Sequence, residues 1–250
     1  MTNPDFVPAM KKAVAIVTER GGRTSHAAIV SRELGIPAVV GAPNAMRVLK
    51  EGVVITVNGS TGEIFKGAMK IQGTGFRVQG TATQKIKTAT KVYVNLAEPS
   101  RAPMVAKMHV DGVGLFRAEF LMAQIGTHPK KFIEDKKEVQ FIKQMAAGME
   151  QIAENFRPRP VIYRASDFRT NEFRNLKGGN AFEPPEENPM LGFRGAARYI
   201  ADPRVFTLEL EAMKYVRNKV GLKNLHLMIP FVRTPKEMGE VKKIVASSGL

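Results

Sequence analysis

Hydrophobic positions along the chain fall into short blocks with two different periods. Ala13 to Thr18 is a nearly unbroken apolar run and predicts a buried strand. A Gly21-Gly22 turn follows it, and Ala27, Val30 and Leu34 recur at helical spacing until Gly35, which predicts a short helix. Ala38-Val39-Val40 and Val53 to Val57 read as further strands. Asn58-Gly59 opens a turn towards Gly62-Glu63-Ile64-Phe65. These blocks describe a compact α/β unit over residues 1–68.

Residues 69–90 change character. They carry four basic residues, no acidic ones and many Gly, Thr and Gln, and they read as a linker. From Lys91 to residue 250 the pattern becomes a strand–helix alternation. Val92 to Leu96, Val113 to Phe116, Val161 to Tyr163 and Leu225 to Phe231 are the strands. A long amphipathic helix is expected over Lys131 to Phe156, with Val139, Ile142, Met149, Ile152 and Phe156 in phase, and Arg157-Pro158 stops it. A second helix is expected over Pro203 to Val220 with Val205, Leu208, Ala212 and Tyr215 in phase, and Thr234-Pro235 opens a third. Such alternation implies a parallel sheet or a barrel, of which about four βα units are visible.

Composition narrows the function classes. In 250 residues, hydrophobic content of 44% and charged content of 24% are ordinary for a globular protein. The absence of cysteine excludes disulfides, thiolate metal sites and cysteine nucleophiles from this stretch. No apolar run has the length of a membrane span, and Met1 to Met10 lacks the apolar core of a signal peptide, so a cytoplasmic protein with no membrane partner is the default expectation. The net charge of +15 has three competing sources: nucleic-acid binding, recognition of a phosphorylated small substrate, or a segment that does not balance its own charge. Few aromatics accompany the basic residues and no nucleic-acid motif is present, so no nucleic-acid partner is expected.

The stretch with chemistry in it is Gly21-Gly22-Arg23-Thr24-Ser25-His26-Ala27-Ala28-Ile29-Val30-Ser31-Arg32. It places His26 at the first turn of a helix, where backbone N–H groups and the positive helix end favour a phosphoryl group on the imidazole. Gly21 and Gly22 let the backbone approach an incoming phosphate. A neutral imidazole is a nucleophile near pH 7 and its phosphorylated form a good donor. The competing reading is that Thr24 or Ser25 merely caps the helix beside a solvated histidine.

The motif continues as Arg32-Glu33-Leu34-Gly35-Ile36-Pro37-Ala38-Val39-Val40-Gly41, and the whole run resembles the phosphohistidine signature of the enzymes that use phosphoenolpyruvate: phosphoenolpyruvate synthase, pyruvate phosphate dikinase and enzyme I of the sugar phosphotransferase system. Asp111 to Leu121 is similar to the family's second barrel strand. Glu187-Asn-Pro-Met-Leu-Gly-Phe-Arg-Gly195 is similar to a substrate-facing loop. Tyr163 to Phe173, Lys177-Gly-Gly-Asn180 and the opening Met1 to Pro8 look like the synthase branch.

The resemblance implies a small swivelling phosphohistidine α/β domain over 1–68, N-terminally incomplete. The linker of residues 69–90 would act as its hinge, and residues 91–250 would be the first half of a (β/α)8 TIM-type barrel. It implies phosphotransfer through His26, converting pyruvate to phosphoenolpyruvate at the expense of ATP, in an enzyme using Mg2+. ATP and magnesium would be bound by an upstream ATP-grasp domain and by a C-terminal half-barrel, where an acid/base cysteine also lies, so the chain by itself is expected to be inactive and to form homo-oligomers or need complementation. Arg117, Arg164 and Arg194 would hold phosphoenolpyruvate. Arg117 and Arg164 each end an expected strand, the active-site face of such barrels, and guanidinium forks suit a phosphate and a carboxylate. Arg169 and Arg198 are open between that role and ion pairing. Glu119 reads as a structural partner for a nearby arginine. Thr24 is open between capping and a regulatory phosphorylation site. Arg23 departs from the uncharged residue frequent in relatives. A pyruvate phosphate dikinase, an enzyme I, or a non-catalytic phosphocarrier remnant are the alternatives.

Overall fold

The computed structural model describes residues 7–10, 12–69 and 89–250, and the chain divides into two units, Met1–Ile86 and Lys87–Leu250. The stretch read as a linker therefore lies almost wholly outside the described residues, as do the first six residues.

The first unit runs α1 (Val7–Met10), β1 (Ile16–Thr18), α2 (His26–Leu34), β2 (Ala38–Val40), α3 (Ala45–Val48), β3 (Ile55–Asn58) and β4 (Glu63–Lys66). β1 and β2 are parallel neighbours, and β3 and β4 form an antiparallel hairpin around the Asn58-Gly59 turn. Asn58 Oδ1 accepts from the N–H groups of Ser60 and Thr61 at 3.1 and 3.3 Å, so the asparagine side chain shapes the turn it opens. The small core is Met10, Ile16, Ala27 and Val30, with Leu34, Ile36 and Val40 packed against it. β1 is shorter than expected: Ala13 to Ala15 lie outside it, and Val14 points to solvent. Only three residues find a partner strand in β2, so the apolar run extends past its pairing.

The second unit begins with β5 (Tyr93–Asn95), α4 (Ala102–Val105), β6 (Gly112–Arg117), α5 (Ala118–Ile125), α6 (Pro129–Glu134) and α7 (Glu138–Phe156). It continues with β7 (Val161–Arg164), α8 (Thr170–Arg174), α9 (Ala196–Ala201), α10 (Arg204–Lys214), β8 (Leu225–Met228) and α11 (Pro235–Ser247). Its four strands pair in parallel in the order β5-β6-β7-β8. Consecutive parallel strands joined by helices make this mixed α/β sheet a partial barrel; the described strands form no closed ring.

The expected helix over Lys131 to Phe156 is two helices. Pro129 starts α6, His128 Nδ1 accepts from Lys130 N at 3.1 Å, and Lys136 adopts a left-handed φ of 54° that ends the run before α7. The apolar stripe of α7 is Phe141, Met145, Ala146, Met149, Ile152, Ala153 and Phe156, all buried, whereas Val139 is 65% exposed. Each large side chain on that stripe contributes roughly 1.5–3 kcal/mol by leaving water.

The second expected helix is likewise shorter. α10 ends at Lys214 and passes into a π-turn over Tyr215–Lys219, which turns Tyr215 outward and Val216 inward. Its buried face carries Phe206, Leu210 and Met213 rather than Val205. Thr234 caps α11 as expected, in a capping box with Glu237.

Strand alternation sets the two faces of this sheet. Val161 and Tyr163 point into the helix-covered core, while Ile162 and Arg164 face the other way. The N-terminal strand ends are tied by side chains. Asn224 Nδ2 donates to the carbonyls of Ala153 and Arg159 at 2.9 Å each, and the Arg159 guanidinium donates to those of Val110 and Ala106 at 3.0 and 2.7 Å. Among the described residues no helix is long and apolar enough to cross a membrane.

Candidate functional site

In the first unit, the chain leaves β1 through Gly21, whose φ of 116° is glycine territory. A Cβ there would press on Ser25 at 3.0 Å, and one on Gly41 would stand 2.7 Å from the Gly21 carbonyl oxygen. These glycines let two loops approach each other directly before α2. His26 is the first residue of α2, half-buried, and Ser25 is its N-cap: Ser25 Oγ accepts from Ala28 N at 3.4 Å. Thr24 does not cap the helix and is exposed, because Ser25, one residue later, has the extended backbone a cap requires. Gly22 has open space where a side chain would be. The first turn carries no acidic residue, so no carboxylate competes for the positive helix end. Arg23 is exposed, and its carbonyl accepts a hydrogen bond from Arg32.

In the second unit, the three expected arginines fall at or beyond the C-terminal strand ends. Arg117 closes β6 and Arg164 closes β7, and they are direct partners in the parallel ladder. Arg164 Nη2 lies 3.1 Å from Glu119 Oε1, which also accepts from Asp167 N at 2.6 Å. Glu119 is thus the arginine partner read from the sequence. Burial raises its pKa above the ordinary carboxylate range, and the nearby Arg164 only partly offsets that.

Arg194 arrives from the loop before α9. Its Nε and Nη2 donate to Asp167 Oδ1 and Oδ2 at 2.9 and 2.7 Å, and its guanidinium stacks 4.4 Å from the Phe231 ring centre. Arg164 and Arg194 are therefore joined through Asp167, the first by way of Glu119.

Arg169, the N-cap of α8, pairs with Glu172 and donates to Met190 Sδ at 3.0 Å. Arg198 is buried and grips Glu183 with both nitrogens at 2.6 and 2.9 Å, between Phe173 and Phe193. Burial pushes Glu183 up, but the hydrogen bonds from His128 and Arg198 outweigh it and hold its pKa below the ordinary range. His128, stacked on Phe182, meets Glu183 at 3.1 Å. This cluster ties the residue before α6, the loop around Glu183 and α9 to one another.

Sequence reasoning missed Asp167 and the Glu183 cluster. Asp167 carried a usable signal, since it follows the strand-end Arg164 by three residues. Among the described residues no group of three or more His, Asp or Glu side chains is arranged to hold a metal ion, so the donor set present does not fit a magnesium site.

Two family models match the chain: the mobile domain of PEP-utilising enzymes over residues 1–62 and the PEP-binding domain of PEP-utilising enzymes over residues 72–249. The whole chain is 47% identical, over 266 residues, to a probable phosphoenolpyruvate synthase of Staphylothermus marinus, covering 32% of that protein. It is 47% identical over 258 residues to the phosphoenolpyruvate synthase of Pyrococcus furiosus, covering 31%, and 45% identical over 275 residues to that of Neisseria meningitidis, covering 34%. The chain spans about a third of the length of these curated relatives.

Proposed function

The chain belongs to the PEP-utilising enzymes, and from that premise we propose that it carries the phosphohistidine and part of the phosphoenolpyruvate grip of a synthase that makes phosphoenolpyruvate from pyruvate and ATP. The observation that carries this reading is the placement of His26 as the first residue of α2, behind the positive-φ Gly21 and the Ser25 cap, with no acidic residue in the turn. In the reaction, ATP and one water molecule give AMP and inorganic phosphate: the β-phosphoryl group passes to a His26 ring nitrogen as its bond to AMP breaks, and water takes the γ-phosphoryl group. The β-phosphoryl group then passes from that nitrogen to the enolate oxygen of pyruvate, and the imidazole is restored.

Arg117, Arg164 and Arg194 hold the carboxylate and the phosphate of the product. Their strand-end and loop positions suit forked contacts to two anionic groups on one small molecule. Enolate charge developing between them is stabilised by fixed cations that need no rearrangement. The names of the relatives, together with the Lys177-Gly-Gly-Asn180 loop, favour the synthase over a dikinase or an enzyme I. Thr24, exposed two residues before His26, is placed where a phosphate of its own would repel the incoming group, which favours the regulatory reading over the capping one.

The test is direct. The chain is mixed with the separately produced ATP-grasp domain of a synthase and ATP labelled at the β-phosphate. Wild type should acquire acid-labile, base-stable label and His26→Ala none; equal labelling of the two overturns the proposal.

A further inference from the structure

Glu209 lies on α10, is none of the groups assigned above to the substrate, and is 1% exposed. A carboxylate in a core costs free energy unless donors converge on it. Three do. Tyr163 Oη donates to Oε2 at 2.7 Å, Ser166 N to Oε2 at 3.0 Å, and Ser166 Oγ to Oε1 at 2.5 Å. On its other side, Ser166 accepts at its carbonyl oxygen from Tyr199 Oη, itself buried. Ser166 is thereby held through its N–H and its hydroxyl by Glu209 of α10 and through its carbonyl by Tyr199 of α9, while Tyr163 of β7 steadies Glu209 itself.

The consequence falls on the next residue. Asp167 turns its N–H to Glu119, the partner of Arg164, and its carboxylate to Arg194. The two ends of one residue thus set two of the three arginines, and the orientation of that residue is dictated by the clamp on Ser166. We infer that Glu209 is a positioning residue for the arginine grip, acting through Ser166 and Asp167. The inference rests on the reading that Arg164 and Arg194 hold the product's anionic groups. A glutamate that merely filled the core would be replaceable by an apolar side chain of similar size with no effect beyond stability. A positioning glutamate would not, because Leu at 209 leaves the Tyr163 hydroxyl and the Ser166 N–H without their acceptor and frees the Ser166–Asp167 turn.

The readout is hydrogen exchange at the Arg194 Nε–H, followed by nitrogen-detected NMR on the whole 250-residue chain and assigned with Arg194→Lys. In wild type this proton is held by Asp167 and should exchange slowly. Glu209→Leu should speed its exchange by about tenfold or more, the loss of roughly one buried hydrogen bond, whereas Glu209→Gln, whose amide oxygen still accepts from Tyr163 and the Ser166 N–H, should stay close to wild type. The control is Met213→Ala, one turn along α10 at a buried position, which lowers stability without touching Ser166. If Glu209→Leu matches Met213→Ala at equal global stability, the inference is overturned. Calorimetric titration with phosphoenolpyruvate runs beside it. Weaker binding in Glu209→Leu but not in Met213→Ala supports the inference. A wild-type chain that binds no phosphoenolpyruvate counts against the arginine reading alone, and the exchange measurement still decides the positioning.

Discussion

Arg194 and Asp167 face each other as two parallel forks, with Nε on Oδ1 at 2.9 Å and Nη2 on Oδ2 at 2.7 Å, both side chains mostly shielded from water. An anion arriving at Arg194 meets a guanidinium whose orientation is already fixed and whose Nη1 makes only a long contact, 3.4 Å, to the Met190 carbonyl. The fork therefore pre-aligns the cation while leaving one nitrogen to offer.

Replacing either half should separate holding from binding. Asp167→Asn keeps the outline but removes the charge, and should lower unfolding free energy by about 1–3 kcal/mol, the range for a hydrogen bond to a charged group, measured by urea denaturation. Arg194→Lys loses the planar fork, and should weaken phosphoenolpyruvate binding by roughly 10–100-fold in a calorimetric titration, since an ammonium cannot hold both Asp167 oxygens and present a fixed N–H to the anion at once.

The two hydroxyls before His26 should behave differently. Ser25→Ala removes the cap on α2 and should cost about 1 kcal/mol. Thr24→Ala should cost little, because Thr24 is exposed and caps nothing. Thr24→Glu should slow phosphorylation of His26 while Thr24→Val leaves it near wild type. Denaturation curves and the labelling assay check each half, and identical labelling of all variants would return Thr24 to a surface role.

Acidity should report on Glu209. Burial pushes its pKa up to about 7, from an ordinary value of 4.5, despite the hydrogen bonds from Ser166 and Tyr163. In the window between those values the folded chain holds a proton that the unfolded chain has released. The associated stability is thus complete below 4.5 and is lost as pH rises towards 7, by up to about 3 kcal/mol. Glu119, also raised by burial, acts in the same direction. Unfolding of Glu209→Gln should therefore show a flatter pH profile over that range than wild type, and parallel profiles would contradict the assignment.

Gly195, directly after Arg194, has φ 56° and ψ −136°, a conformation side chains avoid. A Cβ there would stand 2.6 Å from the Pro230 carbonyl oxygen and 2.7 Å from Phe231 Cβ. Gly195→Ala should push the loop after β8 outward, lifting Phe231 from the Arg194 guanidinium. We expect a loss of roughly 2–4 kcal/mol in stability, in the range of strained or overpacked sites, and weaker phosphoenolpyruvate binding at the same time.

The parts of this protein that were legible in its sequence are those governed by neighbours along the chain. His26 at a helix start, Gly35 at a helix end, the Thr234 cap and the arginines closing β6 and β7 all follow from local periodicity and turn chemistry. The break at Lys136 was not legible, because nothing in Asp135-Lys136-Lys137 forbids a helix. The left-handed residue is accompanied by the docking of Phe132 and Phe141 on opposite sides of the break, with ring centres 5.4 Å apart. Asp167 and Glu209 were missed for the same reason: their roles come from contacts 27 and 43 residues away in sequence. Glu209 did leave a trace, a carboxylate inside the buried stripe of α10, where periodicity alone would demand an apolar side chain.

The ties at the N-terminal strand ends, Asn224 to Ala153 and Arg159, and Arg159 to Val110 and Ala106, use none of the residues that crowd the opposite edge. The ties of the strand starts and the arginine cluster thus lie at opposite poles of one sheet. Substitutions in the loops after β6, β7 and β8 therefore leave the ties at the far pole untouched. The converse does not hold: loosening the Asn224 knot shifts the starts of β6, β7 and β8 together, so substitutions there should be the less tolerated ones.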